Sequence, residues 1–250
     1  TIAVSDITVP AEKKAILASV GTAGITADDC GEVQKALDAV ELDAPVCGLA
    51  QPALCAAGQT PVSVFADGFE SPAADNWDSP FVWGGWNWVG GVNTIYQQSL
   101  PHNGIYHLQA IEDADELAVD ATATLREPIT LPAGARLAFR TYTQMAATYD
   151  GGVVEYSTDG GTTWTDALPL HLAGRNYDST VRTDVGNVLG GRRAFSGRTS
   201  EYQASVYELS TLEGQPFQVR FRWGSNAPGT PGSTFSIAGY FVDDVEIFTC

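Results

Sequence analysis

The chain has 250 residues, in which 13 Lys and Arg stand against 30 Asp and Glu, a formal charge of −17 at pH 7. That acidity excludes a nucleic-acid partner, since there is no basic surface to displace counterions from a phosphate backbone, and it excludes an electrostatic membrane anchor. No apolar run reaches the eighteen or more residues of a membrane-spanning helix, and no charged leader followed by an apolar stretch opens the chain, so any signal peptide is expected to have been removed.

Residues 1–58 read as a helical tail and a Cys/Pro-rich linker. Pro10 suits the first turn of a helix through AEKKAILASV that Gly21 ends. Thr26 to Asp29 has the form of a capping box. It introduces a segment in which Cys30, Val33, Leu37 and Val40 recur on one helical stripe. From Ala44 to Gly58 the Pro, Cys and Gly content marks a pinned linker.

From residue 59 to 250 the pattern is β. Val62–Ala66, Ala135–Thr143, Val153–Thr158, Phe217–Trp223 and Tyr240–Phe248 alternate with period two or are rich in β-branched and aromatic residues. Turn signals such as Pro132-Ala-Gly134, Asp150-Gly-Gly152 and Asp159-Gly-Gly161 separate them. Ten to twelve strands with no helical period between them predict an all-β fold, an antiparallel jelly-roll β-sandwich behind a short N-terminal helical segment. The absence of a fixed repeat excludes a propeller or solenoid.

Catalytic signatures are missing: the chain has no H-E-x-x-H, no G-x-S-x-G and no phosphate-binding loop. His102 and His107 are five apart, on opposite faces if they share a strand. A glycan hydrolase on a sandwich needs paired carboxylates, and the candidates are Asp244, Glu246 and Glu155, without the E-x-D-x-x-E strand of laminarinase-like enzymes. Trp83, Trp86 and Trp88 are candidate ligand-binding aromatics, since an exposed ring stacks on a sugar or a peptide side chain; Gly84 and Gly85 are expected to break their strand with a bulge.

Carboxylates near the two ends of the β region, Asp67 and Glu70 after the first strand and Asp243 and Asp244 on the last, are expected to converge, because those strands are commonly neighbours in a jelly roll. Calcium, a hard cation taking six to eight oxygens, is the expected cofactor there. The acidic run Glu112, Asp113, Asp115 and Glu116 reads as a solvated turn. Four cysteines, Cys30, Cys47, Cys55 and Cys250, lack metal spacing and predict two disulfides and an oxidising, extracellular compartment.

Two resemblances carry further expectations. Ser157-Thr-Asp-Gly-Gly-Thr-Thr-Trp164 resembles the Asp-box, S-x-D-x-G-x-T-W, which is structural where it occurs in secreted β proteins. FADGFES, NWVGG, PHNGIYHLQA, VVEYSTDGGTTW, GRRAFSG and GYFVDDVEIF, in that order, resemble the jelly-roll accessory domains of secreted bacterial metallopeptidases, of the MAM and immune-inhibitor-A types. DDCGEVQKALDAVEL is similar to the closing helix of a fungalysin-type peptidase domain. The resemblance implies a non-catalytic, secreted module that binds calcium through Asp67, Glu70, Asp243 and Asp244. It also implies as partners the catalytic domain of a parent protease and an extracellular protein or polysaccharide; a C-terminal secretion segment is the alternative. The layout of the cysteines suggests Cys30 with Cys47 and Cys55 with Cys250.

Overall fold

The computed structural model describes residues 52–71, 75–79, 81–83, 89–91, 102–104, 106–111, 118–199, 201–226 and 239–250, with backbone alone at 81–83, 89–91 and 111. The N-terminal helices, Cys30, Cys47, Trp86, Trp88 and the acidic run at 112–116 lie outside them, and of Trp83 only the backbone is described. The chain divides into compact units at Gln51 and Pro52, and the unit from Pro52 to Cys250 is the β domain.

In chain order its strands are β1 (Val62–Asp67), β2 (Trp77–Asp78), β3 (Phe81–Trp83), β4 (Val89–Gly91), β5 (His107–Ile111), β6 (Asp120–Leu125), β7 (Ile129–Thr130), β8 (Arg136–Gln144), β9 (Gly151–Ser157), β10 (Thr165–Asp166), β11 (His171–Gly174), β12 (Ser179–Thr180), β13 (Arg193–Ala194), β14 (Gln203–Glu208), β15 (Pro216–Gly224) and β16 (Gly239–Thr249). β1, β8, β9, β15 and β16 fall where the period-two pattern places them, whereas β6 and β14, as long as β1, lie outside the segments it marked. Those beyond the expected ten to twelve are mostly two or three residues long, too short to show a period.

Two antiparallel sheets form the sandwich. The first runs β11-β14-β8-β16-β5-β4, with β1 also paired to β16; the second runs β10-β9-β15-β6-β2, with β3 and β7 attached to β6 and β15. The first and last strands are therefore neighbours, as expected. β16 is the organising strand. One flank lies along β8 for its whole length, while the other is shared end to end by β5, against Gly239–Val242, and β1, against Val245–Thr249.

Alternation aims Phe139 on β8 and Phe217, Val219, Phe221 and Trp223 on β15 into the space between the sheets, where all are buried. Phe139 meets Phe221 edge to face at 5.1 Å between centroids, and Trp77 bridges Phe221 and Phe69 at 5.6 and 5.7 Å. Residues 175–199 form an excursion that meets both sheets, bridging Phe195 to Gly152 on β9 and Arg198 to Gln144 on β8. Val181 and Ala194 press so closely on Gly151 that a Cβ there would stand 2.7 and 2.8 Å from them, so only glycine fits.

Cys55 is joined to Cys250, the pairing the cysteine layout suggests. Leu54 and Cys55 pack on Ala138, Val206 and Phe248, and Arg136 donates to the Leu54 carbonyl at 2.9 Å.

Candidate functional site

Between Asp243 and Glu246 the pairing of β16 with β8 slips: Asp243 faces Arg140 and Glu246 faces Ala138, so β16 carries one residue more than its partner. Asp244, at φ +48°, absorbs the extra length. The slip falls where β5 leaves β16 and β1 takes over, so the ladder is open on that flank.

Residues 102–104 and 106 lie beside this stretch of β16, and carboxylates hold them. Asp243 Oδ2 accepts the amides of His102 and Asn103 at 2.7 and 3.3 Å. Asp244 Oδ2 lies 2.6 Å from His102 Nδ1, accepts Asn103 Nδ2 at 2.9 Å and stands 3.4 Å from Arg140 Nε. Glu70 Oε1 accepts the amide of Tyr106 at 3.1 Å. A Cβ on Gly104 would overlap the Glu70 carboxylate, and Gly104 is at φ +65°. Both properties confine this position to glycine.

Asp67 has a different task. Its Oδ1 accepts the amide of Phe69 at 2.7 Å, and its Oδ2 accepts Asn76 Nδ2 and Trp77 Nε1 at 3.0 and 2.9 Å. The turn that follows β1 is shaped by this cap, with Phe69 held at φ +57°.

Of the four residues expected to bind calcium, Glu70, Asp243 and Asp244 thus meet on one segment, while Asp67 faces the Trp77 side. Among the described residues no three His, Cys, Asp or Glu side chains surround a common point that could hold an ion. Burial first, and the neighbouring Asp244 charge second, push the Asp243 carboxyl up to about 7 against the pull of its amide hydrogen bonds. Spacing along the chain gave no notice of His102, Asn103 and Tyr106 as partners. The Asn103-Gly104 turn signal was the one available hint.

Beside this segment, on the outer face of the first sheet, lies a groove of about 300 Å³. Pairing places Ala66 opposite Glu246, Glu246 opposite Ala138, and Arg140 opposite Ala204. All five share that face, so small methyl side chains floor the groove between longer charged ones. Leu54, Asn103 and Asp244 also line it. Among the described residues the buried Arg140 Nη1 has no hydrogen-bond partner.

Of the hydrolase candidates, Glu155 stands apart from Asp244 and Glu246. Asp244 and Glu246 are on β16, whereas Glu155 is on β9 of the other sheet, buried, with its oxygens 2.6 Å from Arg192 Nη1 and Arg220 Nε. Burial alone would raise Glu155, but the hydrogen bonds and charges of the two arginines outweigh it and hold the carboxyl below its usual range.

The hairpin at 157–164 is closed by its own side chains. Ser157 Oγ donates to Asp159 Oδ1 at 2.7 Å, Asp159 accepts the Thr163 amide at 2.9 Å, and Trp164 Nε1 donates to the Gly161 carbonyl at 3.1 Å. Arg220 lies over the Trp164 ring, 4.2 Å from its centroid.

No protein-family model matches the chain, and no curated protein does. Among solved structures it is similar to the K1 cleaved adhesin domain of Lys-gingipain from Porphyromonas gingivalis W83, at 18% identity and a TM-score of 0.49 over 77% of this chain and 99% of that one. The K3 domain of the same protein gives 17% and 0.49 over 76% and 100%. TmCBM61, solved with beta-1,4-galactotriose, gives 14% and 0.42 over 73% and 94%.

Proposed function

We propose that this chain is an extracellular, non-catalytic binding module that engages a polysaccharide or protein through the outer face of its first sheet. The observation that carries the reading is the groove over Ala66, Ala138 and Ala204, a concave and partly polar surface on a rigid sheet. The separation of Glu155 from Asp244 and Glu246 by the thickness of the sandwich supports binding over hydrolysis, because it takes Glu155 out of any pair that could flank one glycosidic bond and leaves only Asp244 and Glu246 beside the groove. The Cys55–Cys250 disulfide supports an oxidising compartment. The order of the sequence motifs supports a setting beside the catalytic domain of a secreted protease.

Calcium belongs to the proposal as the ion for Glu70, Asp243 and Asp244, with Asp67 behind them. It would share their oxygens with the amides of His102, Asn103 and Tyr106 and relieve the repulsion between adjacent carboxylates. The hard-oxygen donor set and the buried Asp243 support it. A melting curve of the full chain in millimolar calcium against one in chelator tests the ion: a rise in Tm is expected, and identical curves would remove calcium from the reading. Glycan-array and protein-ligand screening of the full chain tests the module itself. Turnover of a polysaccharide, lost on changing Asp244 to Asn, would replace binding by hydrolysis.

A further inference from the structure

We propose that the groove on the first sheet receives one neutral sugar ring of a glycan, gripped through a pair of its hydroxyls by Arg140 and Glu246. This rests on the binding-module reading and names its ligand class and contacts.

Arg140 contributes an unused donor: among the described residues its one ion-pair contact is Nε with Asp244 at 3.4 Å, and its buried Nη1 has no hydrogen-bond partner. Glu246 contributes unused acceptors, since among the described residues its carboxylate has no hydrogen-bond or ion-pair partner. Glu246 stands opposite Ala138, two positions along β8 from Arg140 on the same face. Diagonal neighbours of this kind are about 7–8 Å apart, a spacing for two groups on one ring rather than for a single atom.

The balance of donors and acceptors selects the ligand. A lysine or arginine side chain carries donors only; it would satisfy Glu246 and leave Arg140 unmet. A carboxylate or phosphate carries acceptors and would face Asp67, Asp244 and Glu246 against one guanidinium. A hydroxyl pair donates to Glu246 and accepts from Arg140 with no net charge. The methyl floor of Ala66, Ala138 and Ala204 offers the apolar surface that the C–H face of a sugar covers, and about 300 Å³ is at the small end of ligand sites, one ring rather than a chain.

The test is calorimetry and array binding of the full chain on neutral hexose and N-acetylhexosamine oligosaccharides, with sialylated and galacturonate glycans and an arginine-rich peptide as charged comparisons. Ala138→Leu fills the floor, while Arg140→Met and Glu246→Ala each remove one grip; melting curves report whether each variant folds. A neutral saccharide is expected to bind the parent and to lose tenfold or more in Kd in every folded variant. Binding unchanged within twofold in the folded variants would overturn the groove assignment and leave the module reading standing. Capture of the charged probes alone would overturn the ligand class. No binding of any probe to the parent would sink both.

Discussion

Asp67 accepts the indole N–H of Trp77 at 2.9 Å, and that bond crosses from the first sheet to the second. Asp67 closes β1 beside β16, and Trp77 opens β2 beside β6 with its ring buried between Phe69 and Phe221. Asp67→Ala leaves a buried indole donor and two further donors without their acceptor, a loss of about 2–3 kcal/mol. Trp77→Phe keeps most of the ring and is expected to cost less. Urea unfolding of the two variants checks the order, and equal losses would show that the ring rather than the hydrogen bond matters.

Glu155 gives a second prediction. Removing its carboxylate in Glu155→Ala takes the partner from Arg220 and leaves Arg192 with Asp166 alone, and breaking the largely buried pair with Arg220 costs about 3 kcal/mol. Chemical denaturation reads the loss. Saccharide affinity is expected to stay unchanged, because the residue lies on the sheet opposite the groove.

The third concerns pH. Burial pushes the Asp150 carboxyl from 3.8 up to about 6, despite hydrogen bonds from the amides of Asn226 and Ala146. A carboxyl raised on folding binds its proton more tightly in the native state. Its stabilisation is therefore complete below pH 3.8 and is lost as pH rises through 6. The span corresponds to about 3 kcal/mol. Asp150→Asn gives up one amide acceptor at every pH but cannot ionise. The stability of the variant relative to the parent is expected to improve steadily from pH 4 to pH 7. A flat difference in unfolding midpoints over that range would refute the assignment.

The fourth is the disulfide. With a sequence separation of 195 between its cysteines, the chain-entropy relation assigns the closed loop about 5 kcal/mol. Replacing both Cys55 and Cys250 by Ser is expected to lower the urea midpoint to match that of the parent under reductant.

The strands that were legible in the sequence are those with one face in the core. In β15, Phe217, Val219, Phe221 and Trp223 alternate with Gln218, Arg220 and Arg222, and period two is a direct imprint of that burial. The neighbouring of β1 and β16 followed from jelly-roll topology. The detail of the site did not, because strict alternation puts Asp243 and Asp244 on opposite faces, whereas the left-handed turn at Asp244 lets both reach His102. Arg192 was equally hidden. It meets Glu155 across 37 residues of chain and through a loop without periodicity. Tyr177, Val181, Leu189 and Phe195 are buried in that loop, where turn-rich sequence reads as solvated surface.

The sulfur bridge between Cys55 and Cys250 also fixes how this domain answers tension. A pull applied at Pro52 and at the Cys250 end travels through three residues and one covalent link, bypassing every strand between them. While oxidised, the sandwich can be tugged by those two points without its sheets being sheared apart. Under reductant the same pull would act directly on β1 and β16, two of the strands that line the groove.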